Sequence, residues 1–134
     1  MNKSKFQFQT PFLTKMYFTI NNNFSSEEKD VDIKNTMEIG ISRKEGESLA
    51  SVSLSLEIGT NDNSSPFHID CEIVAVFSWD EYAFDEETVN SLLTMNAPAL
   101  LLSYIRPLVS QITNMSPFPV YNVPFYNFLP EKNE

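Results

Sequence analysis

Residues 67–79 read FHIDCEIVAVFSW, and every second residue of this stretch is apolar. Side chains alternate between the two faces of a β-strand, so these residues would share one face. The set comprises Phe67, Ile69, Cys71, Ile73, Ala75, Phe77 and Trp79. His68, Asp70 and Glu72 fall on the opposite face, although Val74 and Val76 fall there too. The pattern predicts a strand with one buried face and one mostly polar face.

Three earlier segments alternate in the same way: KFQFQTPFLTKMYFTI at 5–20, DVDIKNTMEIGIS at 30–42 and SLASVSLSLEIG at 48–59. Pro11 interrupts the first of them, which favours an edge strand with a bulge or kink. Short polar turns at 43–47 and 60–66 join the later segments. A four-stranded antiparallel meander is therefore predicted. Its polar face is predicted to be acidic, because it carries Asp32, Glu38, Glu57, Asp70 and Glu72.

Helical signals follow the fourth strand, across about residues 85–115. Asp85 is a candidate N-cap, and Glu86 and Glu87 suit the positive end of a helix dipole. A second, longer helix begins near Pro98, which fits a first helical turn. Its apolar residues recur at helical spacing, and they are Ala97, Leu101, Tyr104, Ile105, Leu108, Ile112 and Met115. The predicted fold class is α+β, with the order β-β-β-β-α and a long helix packed on one face of the sheet.

An uncharged, proline-rich segment, SPFPVYNVPFYNF, comes next at 116–128. Its prolines exclude a helix and disfavour a central strand, so an extended loop is predicted across the surface. Two interpretations stay open for its five aromatic side chains. The rings could fill the core, or some could remain outside and line a groove, since alternate residues of an extended chain point in opposite directions.

Composition narrows the function. The 134 residues correspond to one domain, 1–134, and the net charge of −9 argues against binding nucleic acid or anionic membranes. We expect no membrane insertion and a cytoplasmic location, because no apolar run is long enough to span a bilayer. The single cysteine, Cys71, and the single histidine, His68, are predicted to be structural. We therefore expect no enzyme, no metal site and no cofactor.

The long helix and the loop after it resemble a known family. NAPALLLSYIRPLVSQITN followed by SPFPVYNVPFYNF is similar to the main helix and helix-connecting loop of SecB, the export chaperone. The matching residues are Pro98, Leu100, Leu101, Tyr104, Arg106, Phe118, Pro119, Asn122, Asn127 and Phe128. DCEIVAVFSW resembles the fourth strand of that family and KFQFQTPFLTK the first. The resemblance covers about Phe6 to Phe128.

This resemblance implies an ATP-independent holdase that keeps non-native polypeptides unfolded, in several settings for handover to the SecA motor. It also implies a homo-oligomer, a tetramer built as a dimer of dimers or else a dimer. First strands and main helices would form the interfaces. The expected interface residues are Phe6, Phe8, Met16, Phe18 and Tyr104. An apolar first strand also needs protection from water.

Client segments would lie in a groove between the sheet and the helix-connecting loop. The predicted groove residues are Tyr82, Phe84, Phe118, Tyr121, Val123, Phe125 and Phe128. Glu72 occupies the position of a motor contact in the family, whereas acidic positions of the first strand fall near Met16 and Ile20 here. After Phe128 only LPEKNE remains, so the family's C-terminal helix is expected to be absent. A groove tryptophan before the second strand is also missing.

A second hypothesis keeps the same fold but gives it one dedicated partner. Some SecB relatives guard an antitoxin, so this chain could bind a single antitoxin, envelope component or phage protein. A broad set of clients would favour the holdase, and one dominant partner would favour the dedicated module.

Overall fold

A computed structural model describes residues 1–24 and 31–129 of the chain. Its elements are β1 (Phe6–Phe8), β2 (Phe12–Ile20), β3 (Asn35–Arg43), β4 (Leu49–Gly59), β5 (Phe67–Trp79), α1 (Glu86–Ser91), a π turn (Leu92–Asn96) and α2 (Ala97–Asn114). One antiparallel sheet carries the long helix on one face, which confirms the predicted α+β class. The first residue of the second predicted strand, at 30, and most of the expected tail, at 130–134, lie outside the described residues.

The first predicted strand is two strands. β1 and β2 both pair with β5, so that Phe6 lies opposite Trp79 and Ile20 lies opposite Phe67. The break falls between Phe8 and Phe12 and contains Pro11, which has no N–H to donate to the ladder. Within the described residues the sheet therefore has five strands, where four were predicted.

The strand order differs from a complete meander. β3, β4 and β5 follow one another as predicted, but β1 and β2 lie beside β5 and not beside β3. Residues 21–34 connect β2 to β3, and this connection is much longer than a hairpin loop, so it does not force the two strands to be neighbours. The prediction of adjacency between the first two segments was wrong. β3 is left as an edge strand of the sheet.

The core lies between the sheet and α2. On this face every second residue of β4, from Ala50 to Ile58, is fully buried. Every second residue of β5, from Phe67 to Phe77, is at most 4% exposed. From the other side α2 contributes Leu101, Ile105 and Val109, all with no exposed surface. The alternation seen in the sequence thus correctly identifies the buried face of the two central strands.

The helical region is continuous from Glu86 to Asn114. Asp85 caps it as predicted, since its carboxylate accepts a hydrogen bond of 2.7 Å from the N–H of Thr88. The expected break before Pro98 is a π turn, in which the N–H of Ala97 reaches the carbonyl of Leu92. This wider turn gives the proline ring room that a regular α-turn lacks. The helix has the length and composition of a membrane span, but its buried stripe packs on the sheet, as in the core helix of a soluble fold.

Cys71 lies on the buried face of β5, and its Sγ is 3.6 Å from the carbonyl oxygen of Leu56. Burial, with a contribution from Asp70, raises the pKa of the thiol to about 11. We expect no reaction with an aromatic disulfide reagent at pH 8 in the folded protein, and complete reaction in 8 M urea. The thiolate is the reactive form, and it is neither populated nor accessible in the fold. A folded-state rate close to the unfolded-state rate would contradict this placement.

Candidate functional site

The loop after α2, residues 116–129, contains neither helix nor strand. We call it the strap. Three side chains of α2 hold it, each about one turn from the next. Thr113 Oγ1 accepts a hydrogen bond of 2.9 Å from the N–H of Tyr121, and Ser110 Oγ donates one of 3.0 Å to Asn122 Oδ1. The Nε of Arg106 donates to the carbonyl of Val123 at 2.9 Å. The strap therefore runs back along α2, antiparallel to it.

The Thr113 anchor gives a stability prediction. Thr113 is fully buried, and its hydroxyl also donates to the Val109 carbonyl at 2.8 Å. Thr113→Val keeps the shape but leaves the N–H of Tyr121 without an acceptor, so we expect the free energy of unfolding to fall by about 2 kcal/mol. Urea titration measures this. The matched control is Thr94→Val, because Thr94 makes the same bond to its helix at Asn90 and is exposed. An equal loss in both variants would contradict the anchoring role.

The rings of the strap divide between the two interpretations left open by the sequence. Phe118 and Tyr121 are half-buried, with their ring centroids 5.8 Å from Phe24 and 6.0 Å from Phe67 respectively. Phe128 also packs against the core. Phe125, by contrast, is 85% exposed, and the guanidinium carbon of Arg106 lies 4.2 Å from its ring centre. Part of the strap fills the interior and part of it faces outward.

Val123 is only 1% exposed, so its prediction as a groove residue was wrong. It belongs to the core cluster formed by the sheet and α2. The physical reason is the alternation of an extended chain, which turns Val123 to the same inward side as Tyr121, while Asn122 and Pro124 point outward. Its side chain is not available to a client.

Tyr82 and Phe84 lie on the segment between β5 and α1. Tyr82 is 91% exposed, while Phe84 is half-buried beside a cavity that Arg43 and Trp79 also line. Arg43 makes two bonds to the Glu86 carboxylate, at 2.9 and 2.8 Å, and covers the Trp79 ring at 5.0 Å. No strap residue lines this cavity. Phe84 therefore does not share this cavity with the rings of the strap, and Tyr82 does not line it.

An apolar strip on β3 was not singled out from the sequence. Ile39 and Ile41 lie opposite Leu54 and Val52, which are fully buried, so they point to the same face of the sheet as α2. They are nevertheless 39% and 40% exposed, because α2 packs over β4 and β5 and β3 is the edge. Met37 continues the strip and is half-buried. Alternation alone cannot separate such a strip from the core, since the strand order decides which residues are covered.

Asn35, at the start of β3, connects this strip to the strap. Its Nδ2 donates hydrogen bonds of 2.8 Å to the hydroxyls of both Tyr121 and Tyr126. The second of these bonds places Tyr126 of the strap beside the start of β3, and we call the apolar side chains on its two sides the β3–strap channel. Its side chains are Met37, Ile39 and Ile41 of β3 and Tyr126 and Phe128 of the strap. Within the described residues, the outer backbone edge of β3 between 36 and 42 has no backbone hydrogen-bond partner.

The opposite face of the sheet carries Glu38, Glu57, Asp70 and Glu72 of the predicted carboxylates, whereas Asp32 precedes β3, and Glu57, Asp70 and Glu72 have partners within the chain. The Glu72 carboxylate accepts bonds from Thr14 at 2.6 Å and from Ser55 at 3.0 Å, which hold its pKa below the usual range. Lys15 pairs with Asp70. A motor would have to compete with these contacts to bind Glu72, and that role stays a prediction.

The residues expected at an oligomer interface fall into two groups. Phe6, Met16 and Phe18 are half-buried against the chain's own core. Phe8 and Tyr104 are exposed, and their rings meet edge to face at 6.4 Å. Arg106 is the only charged residue between Thr88 and Leu129. The outward side of α2 is accordingly uncharged, although the whole chain is strongly acidic.

Within residues 1–24 and 31–129, no three side chains of His, Cys, Asp or Glu are grouped so that they could hold a metal ion. What remains is a set of exposed apolar side chains on β3 and the strap, next to a strand edge with no backbone partner in the described part of the chain.

A scan against family models supplies the classification. The model described as SecB, preprotein translocase subunit SecB, matches residues 1–129. The chain belongs to the SecB family. This is a family of chaperones, and the resemblance read from the helix and strap is confirmed. A search of curated proteins gives no significant match.

Two solved structures share the fold of this SecB-family chain. One is the SecB-like chaperone Rv1957 of Mycobacterium tuberculosis in complex with a ChAD peptide from the antitoxin HigA1, Rv1956. Its TM-score is 0.72 at 16% identity, with 91% of each chain covered. The other is a protein of unknown function from Streptococcus agalactiae, with a TM-score of 0.51 at 15% identity, covering 92% of this chain and all of that one. At these identities the likeness concerns the fold alone.

Proposed function

We propose that this SecB-family protein is an ATP-independent holdase that binds unfolded polypeptides along the β3–strap channel. One observation carries the proposal. Ile39 and Ile41 lie on the core face of the sheet and remain exposed, on a strand whose outer edge has no backbone partner within residues 1–24 and 31–129. A monomeric soluble fold rarely leaves apolar surface and a strand edge open together unless something binds there.

The chemistry of the channel suits an extended client. A client strand placed against β3 gains main-chain hydrogen bonds, which do not depend on its sequence. Its alternate side chains then meet Met37, Ile39 and Ile41 on one face, where burial of apolar surface is favourable. Low specificity and modest affinity follow from these two terms. Neither term requires nucleotide hydrolysis, a metal or a covalent step.

Phe125 and Tyr126 extend this surface on the strap side, because both are exposed beside the anchored part of the strap. We include Phe118, Tyr121 and Phe128 as the half-buried wall behind them. Tyr82 and Phe84 would contribute only to a client long enough to reach the far end of the sheet.

A dedicated partner is the second candidate. It is favoured by the SecB-like chaperone of similar fold that was solved with an antitoxin peptide. A peptide of that kind would use the same channel in the same extended form. The two candidates therefore differ in the number of partners and not in the binding surface.

We further propose a homo-oligomer, as a dimer of dimers or a dimer, in the cytoplasm. Phe8, Tyr104 and the uncharged outward side of α2 support an interface there. If the holdase serves protein export, we propose that it hands clients to SecA through the outer face of the sheet near Glu72.

Two measurements test the proposal. The purified protein, without ATP, should suppress the aggregation of chemically reduced insulin at a ratio near one to one. Folded protein that leaves the light scattering unchanged would contradict the holdase. Polypeptides that copurify from its own cells should then be identified by mass spectrometry. Many unrelated precursors would support the general holdase, and a single dominant species would support the dedicated module.

A further inference from the structure

The strap is held differently before and after Pro124. Before it, Thr113, Ser110 and Arg106 bind the strap at three successive positions. After it, residues 125–129 make no backbone–backbone hydrogen bond within the described part of the chain. We call residues 124–129 the flap. Its contacts with the body include one hydroxyl bond, one ring against a guanidinium and the half-buried ring of Phe128, and residues 126–129 line a cavity together with Met95, Asn96 and Ala99.

The hydroxyl bond ends on Asn35, where two tyrosines converge. The two N–H groups of the Asn35 amide serve the hydroxyls of Tyr121 and Tyr126, both at 2.8 Å. The hydroxyl of Tyr121 donates back to Asn35 Oδ1 at 3.1 Å. Burial raises the pKa of Tyr121, so its hydroxyl keeps the proton that this bond requires. Tyr121 belongs to the anchored part of the strap and Tyr126 to the flap.

We propose that Asn35 is the latch of the flap, and that the bond from its amide to Tyr126 holds the flap closed beside β3. Tyr121 orients the amide, because it occupies one N–H and the carbonyl oxygen and leaves the second N–H directed at Tyr126. A single neutral hydrogen bond in partly exposed surroundings contributes little net stability, so it can break and re-form without disturbing the core. Asn35 thus acts as a positioning residue: it holds the flap and does not itself contact the client.

Release of the latch would let a client segment reach β3, and this step rests on the proposed function. Asn35 is the first residue of β3, the strand that contains the exposed Ile39 and Ile41. When Tyr126 leaves Asn35, the flap can move away from β3 and then close over a segment paired with that strand. Because Tyr126 accepts its bond from Asn35, its own proton remains free for another acceptor, such as a main-chain carbonyl of the client.

Limited chymotrypsin digestion, with cleavage sites assigned by mass spectrometry, tests the latch without any client. Tyr126→Phe removes only the hydroxyl and keeps a residue that chymotrypsin cleaves. Asn35→Ala removes the donor side of the latch. Both should raise the initial rate of cleavage at residues 125–128 by about fivefold, the population change for losing one hydrogen bond. The control is Tyr82→Phe, because Tyr82 is exposed and its hydroxyl has no hydrogen bond within the described residues.

The double variant Asn35→Ala with Tyr126→Phe decides whether the two residues act together. The latch predicts that Tyr126→Phe adds nothing once Asn35 is alanine. Wild-type cleavage rates in both single variants, an equal rise in Tyr82→Phe, or multiplied effects in the double variant would each overturn it. The digestion does not depend on holdase activity. A protein that fails to protect insulin but shows the coupled cleavage pattern would refute the proposed function and leave the latch standing.

Discussion

Replacing Ile39 and Ile41 together with serine is expected to weaken the binding of an unfolded polypeptide about thirtyfold. Full burial of an isoleucine contributes about 1.5–3 kcal/mol, and each of these side chains has about 40% of its surface left to bury in a complex. Each therefore contributes about 1 kcal/mol, and about 2 kcal/mol for the pair corresponds to this factor. Fluorescence anisotropy with a labelled, reduced and carboxymethylated protein measures the affinity.

The matched control removes exposed apolar surface from the other face of the same sheet. Phe12 and Leu49 are 56% and 45% exposed, and they lie opposite Val74 and Ser78 of β5. Phe12→Ser with Leu49→Ser should leave the affinity within twofold of the wild type. Equal weakening in the two double variants would show general apolar attraction and would remove β3 from the site.

Both pairs of substitutions are at exposed positions, so the fold should survive them. Serine already occupies the alternate positions of β4, which shows that the sheet accommodates it. The melting temperature and far-ultraviolet circular dichroism should confirm this before affinities are compared. Loss of binding in an intact fold then reports on the channel.

The sequence predicted the core of this protein well, because the core depends on local periodicity. The alternation in residues 48–59 and 67–79 placed nearly every buried side chain of β4 and β5 correctly. The N-cap at Asp85 was also predictable, since capping involves only the N–H groups of the next turn. Both features can be predicted without knowing which distant segments pack against them.

The site was less predictable, because it depends on which strand is at the edge. Ile39 and Leu54 belong to the same kind of alternating pattern in the sequence, and Leu54 is buried only because β4 is central. The failed adjacency of the first two strands had the same origin. Long connections leave strand order open, and strand order decides exposure.

The strap shows a second limit. Val123 and Phe125 are both apolar residues of one extended segment, yet one is buried and the other is exposed. The bond from Arg106 to the Val123 carbonyl fixes this choice, and it comes from a side chain on the preceding helix. The pairing of Asn35 with Tyr121 and Tyr126 is more distant still in sequence. Such contacts have no local signal.

Placing charge on the outward side of α2 is expected to dissociate the proposed oligomer. Ser103 and Gln111 are exposed and lie two turns apart on the side that also carries Tyr104. Ser103→Glu with Gln111→Glu introduces two carboxylates per copy into a contact between copies. Burying unpaired charges costs several kcal/mol each, and a two-fold interface brings like charges together. Light scattering at micromolar concentration should then give the mass of one chain.

The control for net charge is Asn63→Glu with Asn61→Glu, in the exposed turn between β4 and β5. This variant adds the same charge away from α2 and should keep the mass of the wild type. A wild-type protein that is already monomeric would refute the oligomer, and a doubly charged α2 that still assembles would place the interface elsewhere.

The monomeric variant also separates assembly from binding. Ile39, Ile41, Asn35 and the strap, which make up the proposed channel, all belong to one chain. We expect the monomer to bind a short extended peptide with nearly wild-type affinity. A long unfolded client should bind it much more weakly, because several channels on one oligomer engage such a client together and raise the effective concentration. Equal loss for short and long clients would mean that a second copy completes the channel.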